Sequence, residues 1–102
     1  MTTTDNLAED YAKQIARGFY NADPSAPFGY ISDALDFRYI VDSDRTFRDA
    51  EICISLGGPT TWIYTEDATV NVWWDSKGTQ SIPFYVRDAL REAMEELWEM
   101  GA

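Results

Sequence analysis

The strongest constraint on the fold is a change in the spacing of apolar residues along the chain. Between Phe37 and Trp74, apolar side chains alternate with polar ones, which is the period of a strand with one buried face. After Pro83 they recur every three to four residues, which is the period of an amphipathic helix. Turn-forming residues interrupt the alternating stretch at 42–45, 57–59 and 65–68. The pattern therefore predicts an antiparallel meander of four strands, followed by a helix.

A first helix is predicted ahead of the strands, because Leu7, Tyr11 and Ile15 follow a helical spacing and Gly18 is a natural end. Residue 5 or 6 is its expected N-cap. A chain of 102 residues has the usual size of one domain. We divide this single domain, 1–102, into a helix at about 6–18, a loop at 19–36, a meander at about 37–82 and a helix at about 83–100. The predicted fold class is α+β, with the C-terminal amphipathic helix packed on the sheet.

The C-terminal helix has two opposite faces on a helical wheel. The apolar face covers an arc of about 100° and consists of Val86, Leu90, Ala93, Met94 and Leu97. The acidic face lies almost opposite and consists of Asp88, Glu92, Glu95, Glu96 and Glu99. Arg87 and Arg91 lie to one side and are expected to neutralise only the flank of the acidic face. The apolar face predicts contact with the sheet, and the acidic face predicts an exposed surface.

The composition excludes several classes of function. With 18 acidic residues, 8 basic residues and no histidine, the formal net charge is −10, so direct binding to nucleic acid or to an anionic membrane is not expected. The single cysteine, Cys53, excludes an internal disulfide. With no histidine and one cysteine, the usual transition-metal sites and the Ser–His and Cys–His catalytic arrangements cannot be formed. We therefore expect no metal, no cofactor and no enzymatic activity.

The expected location is the cytoplasm. The first residues contain no basic region followed by an apolar one, so no secretory signal is expected. Apolar runs also stay shorter than the roughly 18–20 residues that a membrane-spanning helix needs.

Aromatic residues in the meander form one candidate binding surface. Trp73 and Trp74 are consecutive on a strand, so their side chains point to opposite faces of the sheet. We expect the outward one either to be half-buried under a loop at about 19–30 or to remain exposed as an anchor for a partner. In the second case, Trp62 and Trp73 are the residues predicted to bind the partner.

The acidic face is the other candidate surface. Its simplest interpretation is a solvated helix surface that keeps the protein in solution. The alternative is that it binds a basic groove, because carboxylates at i, i+3 and i+4 are roughly 5–6 Å apart, similar to successive phosphates of a nucleic-acid strand. The excess of acidic residues along the whole chain favours the second interpretation.

The C-terminal two-thirds of the chain resembles a family of small acidic proteins carried by bacterial phages and conjugative elements. The resemblance lies in Ala50–Tyr64, where Gly57-Gly58-Pro59 precedes an aromatic strand, and in the flanking segments 37–44 and 70–74. In size and charge the chain is also similar to anti-CRISPR and anti-restriction inhibitors, several of which act as nucleic-acid mimics. The resemblance implies no catalytic residues.

Charge and resemblance together predict an inhibitor in the host-cell cytoplasm that binds a CRISPR effector or another nucleic-acid-binding defence protein. It is expected to occlude the DNA or RNA site by presenting acidic groups where the nucleic acid presents phosphates. The alternative is a non-catalytic adaptor of a mobile element that uses exposed aromatic residues to dock on a partner or to form a homodimer. Steeply salt-sensitive binding favours the inhibitor, and salt-tolerant binding that fails when Trp62 or Trp73 is replaced favours the adaptor.

Overall fold

Two helices lie on one side of a five-stranded antiparallel sheet in the computed structural model, which describes residues 7–21 and 34–101. The helices are α1, Leu7–Asn21, and α2, Phe84–Glu99. The strands, which lie side by side in chain order, are β1, Asp36–Val41; β2, Phe47–Ser55; β3, Thr60–Tyr64; β4, Thr69–Trp74; and β5, Ser76–Ser81. The predicted α+β meander is thus confirmed, but five strands form it where four were predicted. Neither helix in this part of the chain is long and apolar enough to cross a membrane.

Strand β5 is the element that the apolar pattern does not reveal. Its sequence, Ser-Lys-Gly-Thr-Gln-Ser, has no alternating apolar residues, and α1 packs against it. Gly78 is buried beneath the first turn of α1, where a Cβ atom would collide with the backbone of Ala8 and Glu9. Gln80 Nε2 donates a hydrogen bond of 2.7 Å to a carboxylate oxygen of Glu9. The strand therefore depends on close approach to a helix that is distant in sequence.

Helix α1 runs to Asn21, so the predictions that it ends at Gly18 and that a loop begins at residue 19 are wrong. Continuing the helix places Phe19 in the core with none of its surface exposed. Burying a phenylalanine stabilises a fold by about 1.5–3 kcal/mol, which exceeds the cost of about 1 kcal/mol for glycine within a helix. The predicted N-cap at residue 5 or 6 and the part of the predicted loop at 22–33 lie outside the described residues.

The hydrophobic core lies between the two helices and the facing side of the sheet. The strands contribute Phe47, Ala50, Ile52, Ile63, Val70 and Val72, and α1 contributes Ala8, Ala12, Ala16 and Phe19. From the predicted apolar face of α2, Val86, Leu90, Ala93 and Met94 are buried and Leu97 is partly buried. One face of α2 is thus fixed against the core, which leaves its opposite face at the surface.

Candidate functional site

The structure brings all five carboxylates of the acidic face together on the outer side of α2. Asp88, Glu92, Glu96 and Glu99 are exposed, and Glu95 is partly exposed. On the opposite side of the helix, Leu90 and Met94 are completely buried. The acidic face is therefore a continuous surface that extends over about three helical turns.

Two arginines flank the acidic face, and each contacts both a carboxylate of that face and a backbone carbonyl oxygen on the side of the sheet. Arg87 donates from Nε to Asp88 at 2.6 Å and from Nη1 to the backbone carbonyl oxygen of Thr65 at 3.3 Å. Arg91 is anchored at β2 and approaches Glu95 at 3.9 Å. Within the described part of the chain, the carboxylates of the acidic face that form no ion pair are Glu92, Glu96 and Glu99.

The distribution of charge along α2 opposes the dipole of the helix. Acidic side chains stabilise a helix near its N-terminus, and basic side chains stabilise it near its C-terminus. In α2, however, the first turn holds no acidic residue and the last turn holds no basic one. Carboxylates also follow one another at i, i+4, as in Glu92–Glu96 and Glu95–Glu99, which adds repulsion. Helix stability therefore does not explain the acidic face, which is present at a cost to α2.

The tryptophans predicted to bind a partner both lie on the side of the sheet that faces away from the helices, but only Trp73 is exposed. Trp62 is 8% exposed, and the guanidinium carbon of Arg38 lies 4.4 Å from the centre of its ring. The prediction that Trp62 is an exposed anchor is wrong, because a cation from β1 stacks on its ring. Trp73 is 36% exposed. Trp74 points the other way and packs edge-on against Tyr11 of α1, with 5.9 Å between the ring centres.

Two exposed aromatic residues at the start of α2 were missed by the sequence analysis. Phe84 is 69% exposed and Tyr85 is 55% exposed, and neither belongs to the core. At 100° per residue, Tyr85 falls within the arc that contains the acidic face, and Phe84 falls about 20° outside it. Their exposure could have been predicted from the sequence. A helical wheel that is extended by one turn towards Pro83 places both rings on the outer side of the helix.

The described residues provide no site for metal or thiol chemistry. They contain no group of three or more histidine, cysteine, aspartate or glutamate side chains placed to hold a metal ion. Cys53 is fully buried on β2, and its thiol donates to the carbonyl oxygen of Ser55 at 3.4 Å. Burial raises the pKa of the Cys53 thiol above its usual range. The thiol is therefore protonated at neutral pH and is not an activated nucleophile.

Comparison of the chain with protein-family models, with curated proteins and with solved structures gives no match. Its function is therefore inferred from its own surfaces. The acidic face combines three carboxylates that have no ion-pair partner among the described residues with an arrangement that helix stability does not require.

Proposed function

We propose that this chain is a non-catalytic inhibitor that binds a nucleic-acid-handling protein of bacterial defence, with a CRISPR effector as the leading candidate. In this proposal the acidic face occupies the groove in which the DNA or RNA of that protein lies. The observation that carries the proposal is that α2 places five carboxylates on its outer side, three of which, Glu92, Glu96 and Glu99, form no ion pair within the described residues. A surface that served solubility alone could be acidic without opposing the helix dipole.

The spacing of the carboxylates supports imitation of a nucleic-acid backbone. From Asp88 to Glu99 the helix rises by about 16 Å, at about 1.5 Å per residue. One strand of a duplex carries one phosphate for about every 3.4 Å of helix axis, or about five phosphates over that length. The acidic face holds five carboxylates over the same length. A groove that binds phosphates therefore meets carboxylates at a similar spacing on α2, although Asp88 and Glu95 are paired with Arg87 and Arg91.

The charge of the whole chain reinforces the acidic face. The formal net charge of −10 creates an attractive field for a basic groove before contact. Such a field accelerates association and makes it strongly dependent on ionic strength. The proposed inhibitor therefore binds quickly at low salt and loses affinity as salt is added.

The experiment is a cleavage assay with purified CRISPR effectors and restriction endonucleases. The protein is added either before or after the nucleic acid, at several salt concentrations. We expect that cleavage by the target is inhibited when the protein is added first, and that inhibition weakens when the nucleic acid already occupies the groove. Inhibition that depends neither on the order of addition nor on the salt concentration would contradict imitation of the nucleic acid.

Trp73 supports the alternative function, an adaptor that docks through an aromatic surface. It is 36% exposed on the side of the sheet away from the helices, with Lys77 Nζ 5.4 Å from its ring centre. Exposed tryptophans are frequent anchors in protein interfaces. Binding that tolerates salt but is lost in Trp73→Ser would favour the adaptor over the inhibitor.

A further inference from the structure

We infer that α2 imitates a single nucleic-acid strand with unstacked bases at one end, so that its partner is a protein that binds single-stranded DNA or RNA. This inference rests on the proposed function and specifies its partner. In it, the acidic face replaces the phosphates, and the exposed rings of Phe84 and Tyr85 replace bases.

The number of charges favours a single strand over a duplex. A duplex carries one negative charge for about every 1.7 Å of its axis, or about ten over the length of about 16 Å that the acidic face covers. The acidic face holds half that number, and all five carboxylates lie on one side of one helix. Nothing in the described part of α2 supplies the second strand, because the opposite side of the helix is buried in the core.

The two aromatic rings lie in line with the carboxylates, at the N-terminal end of the acidic face. Phe84 precedes Asp88 by four residues, and Tyr85 precedes Glu92 by seven, so each shares a side of the helix with a carboxylate. Both rings are more than half exposed and neither contributes to the core. From its N-terminal end, the outer side of α2 therefore presents two aromatic rings and then a row of carboxylates.

Contacts within the chain hold the two rings in place while most of their surface stays exposed. The guanidinium carbon of Arg87 lies 5.3 Å from the ring centre of Phe84. The hydroxyl of Tyr85 donates to the backbone carbonyl oxygen of Phe19 at 3.4 Å. Rings that are held in this way lose little conformational freedom when a partner binds them.

Proteins that bind single strands have the complementary features. They combine a basic groove, which follows the phosphates, with aromatic or apolar surfaces on which unstacked bases rest. Duplex-binding proteins contact phosphates and base edges, and in this mode they leave the faces of the bases stacked. Exposed rings beside a row of carboxylates therefore match the first class of groove and have no counterpart in the second.

The test uses two purified proteins as probes. One is an OB-fold protein that holds a fluorescent oligothymidylate, and the other is a helix-turn-helix repressor that holds a fluorescent duplex operator. Each complex is titrated with this protein at the same low ionic strength, and displacement is followed by fluorescence anisotropy. We expect half-displacement of the single strand at a concentration about tenfold or more below that needed for the duplex.

Variants separate the rings from the carboxylates. The double variant Phe84→Ser, Tyr85→Ser is expected to need about tenfold more protein to displace the single strand. The matched control, Leu35→Ser with Leu56→Ser, removes two exposed apolar residues outside α2 (58% and 61% exposed) and should displace it as wild type does. Circular dichroism checks that both variants stay folded.

The outcomes distinguish this inference from the proposed function. Displacement of the duplex at an equal or lower concentration overturns the inference and leaves the proposed function standing. A ring variant that displaces the single strand as well as wild type also overturns the inference. Displacement from neither probe overturns the inference alone, because the proposed function concerns a defence nuclease and is decided separately by the cleavage assay.

Discussion

Arg91 Nε donates a hydrogen bond of 2.7 Å to the backbone carbonyl oxygen of Arg48, which fixes the guanidinium of α2 at β2. The same guanidinium lies 5.2 Å from the ring centre of Phe47 and 3.6 Å from Asp49. These contacts connect the helix to the sheet, and they hold the cation at the flank of the acidic face. The packing that holds α2 in place thus also leaves Glu92, Glu96 and Glu99 without an ion-pair partner among the described residues.

Removing charge from the end of α2 should stabilise the protein. In Glu96→Gln with Glu99→Gln, two carboxylates that oppose the helix dipole become neutral while the helix propensity hardly changes. We expect the melting temperature at low salt to rise by about 2–5 °C, with a smaller rise when salt is added. Asp10→Asn in the first turn of α1, where a carboxylate is favourable, should lower it slightly. A decrease in the double variant would mean that these carboxylates have stabilising partners.

Truncation of the core side of α2 should destabilise the fold. Leu90 is completely buried between α2 and the sheet, so Leu90→Ala should cost about 2–5 kcal/mol of unfolding free energy. Urea denaturation measures the change, and Leu56→Ala, at a position that is 61% exposed, should stay within about 0.5 kcal/mol of wild type. A loss below about 1 kcal/mol for Leu90→Ala would show that α2 contributes little to the core.

Two glycine substitutions should have opposite effects. At Gly78 a methyl group would collide with the backbone of Ala8 and Glu9, so Gly78→Ala should destabilise the protein by about 1–3 kcal/mol or more. At Gly18, within α1, a Cβ meets nothing within 4 Å, so Gly18→Ala should stabilise it by about 0.4–1 kcal/mol. Chemical denaturation of both variants provides the measurement. Equal effects would indicate that α1 does not approach β5 so closely.

Cys53 should be protected from thiol reagents while the protein is folded. Its side chain is completely buried, and burial raises the pKa of its thiol, so labelling at about pH 8 should be much slower than in denaturant. Because the folded-state pKa is raised, the associated stability is present below the unfolded value of 9.0 and is lost as pH rises towards the folded value. The melting temperature should therefore fall less between about pH 8 and pH 10 in Cys53→Ala than in wild type. Rapid labelling of the folded protein would contradict the burial.

Local periodicity is enough to predict a helix or strand when its own apolar residues determine which of its faces is buried. The apolar face of α2 follows from residues such as Leu90 and Met94, because a period of 3.6 residues leaves one helix orientation that buries them. The β2, β3 and β4 strands follow from alternating apolar residues for the same reason. These features need no knowledge of distant contacts.

The features that sequence analysis missed depend on residues far apart in the chain. Strand β5 depends on the contact between α1 and Gly78. Its polar sequence has no alternating apolar residues from which this strand could be predicted. Trp62 is covered by Arg38 of β1, so its exposure depends on strand register as well as on its own identity. Gly18 is a plausible helix end locally, but burial of Phe19 extends α1 beyond it.

In the proposed function, a basic groove recognises the acidic face itself and not the net charge of the chain. Glu92→Gln, Glu96→Gln and Glu99→Gln neutralise the carboxylates that form no ion pair in the described residues, with nearly isosteric side chains. The control triple is Asp10→Asn, Glu66→Gln and Asp75→Asn, which removes the same charge from exposed positions elsewhere. Asp75 has a φ of 63°, a conformation that asparagine tolerates well. Glu66 loses an exposed ion pair of 3.8 Å to Arg48, which is worth little.

The most direct test is the concentration of each triple variant that half-inhibits the target nuclease in the cleavage assay. We predict an increase of about tenfold or more for the acidic-face variant, with slower association and a weaker dependence on salt. The control triple should change the value by about threefold or less. Equal weakening in both triples would show that bulk charge is sufficient, and no weakening in either would contradict recognition through the acidic face.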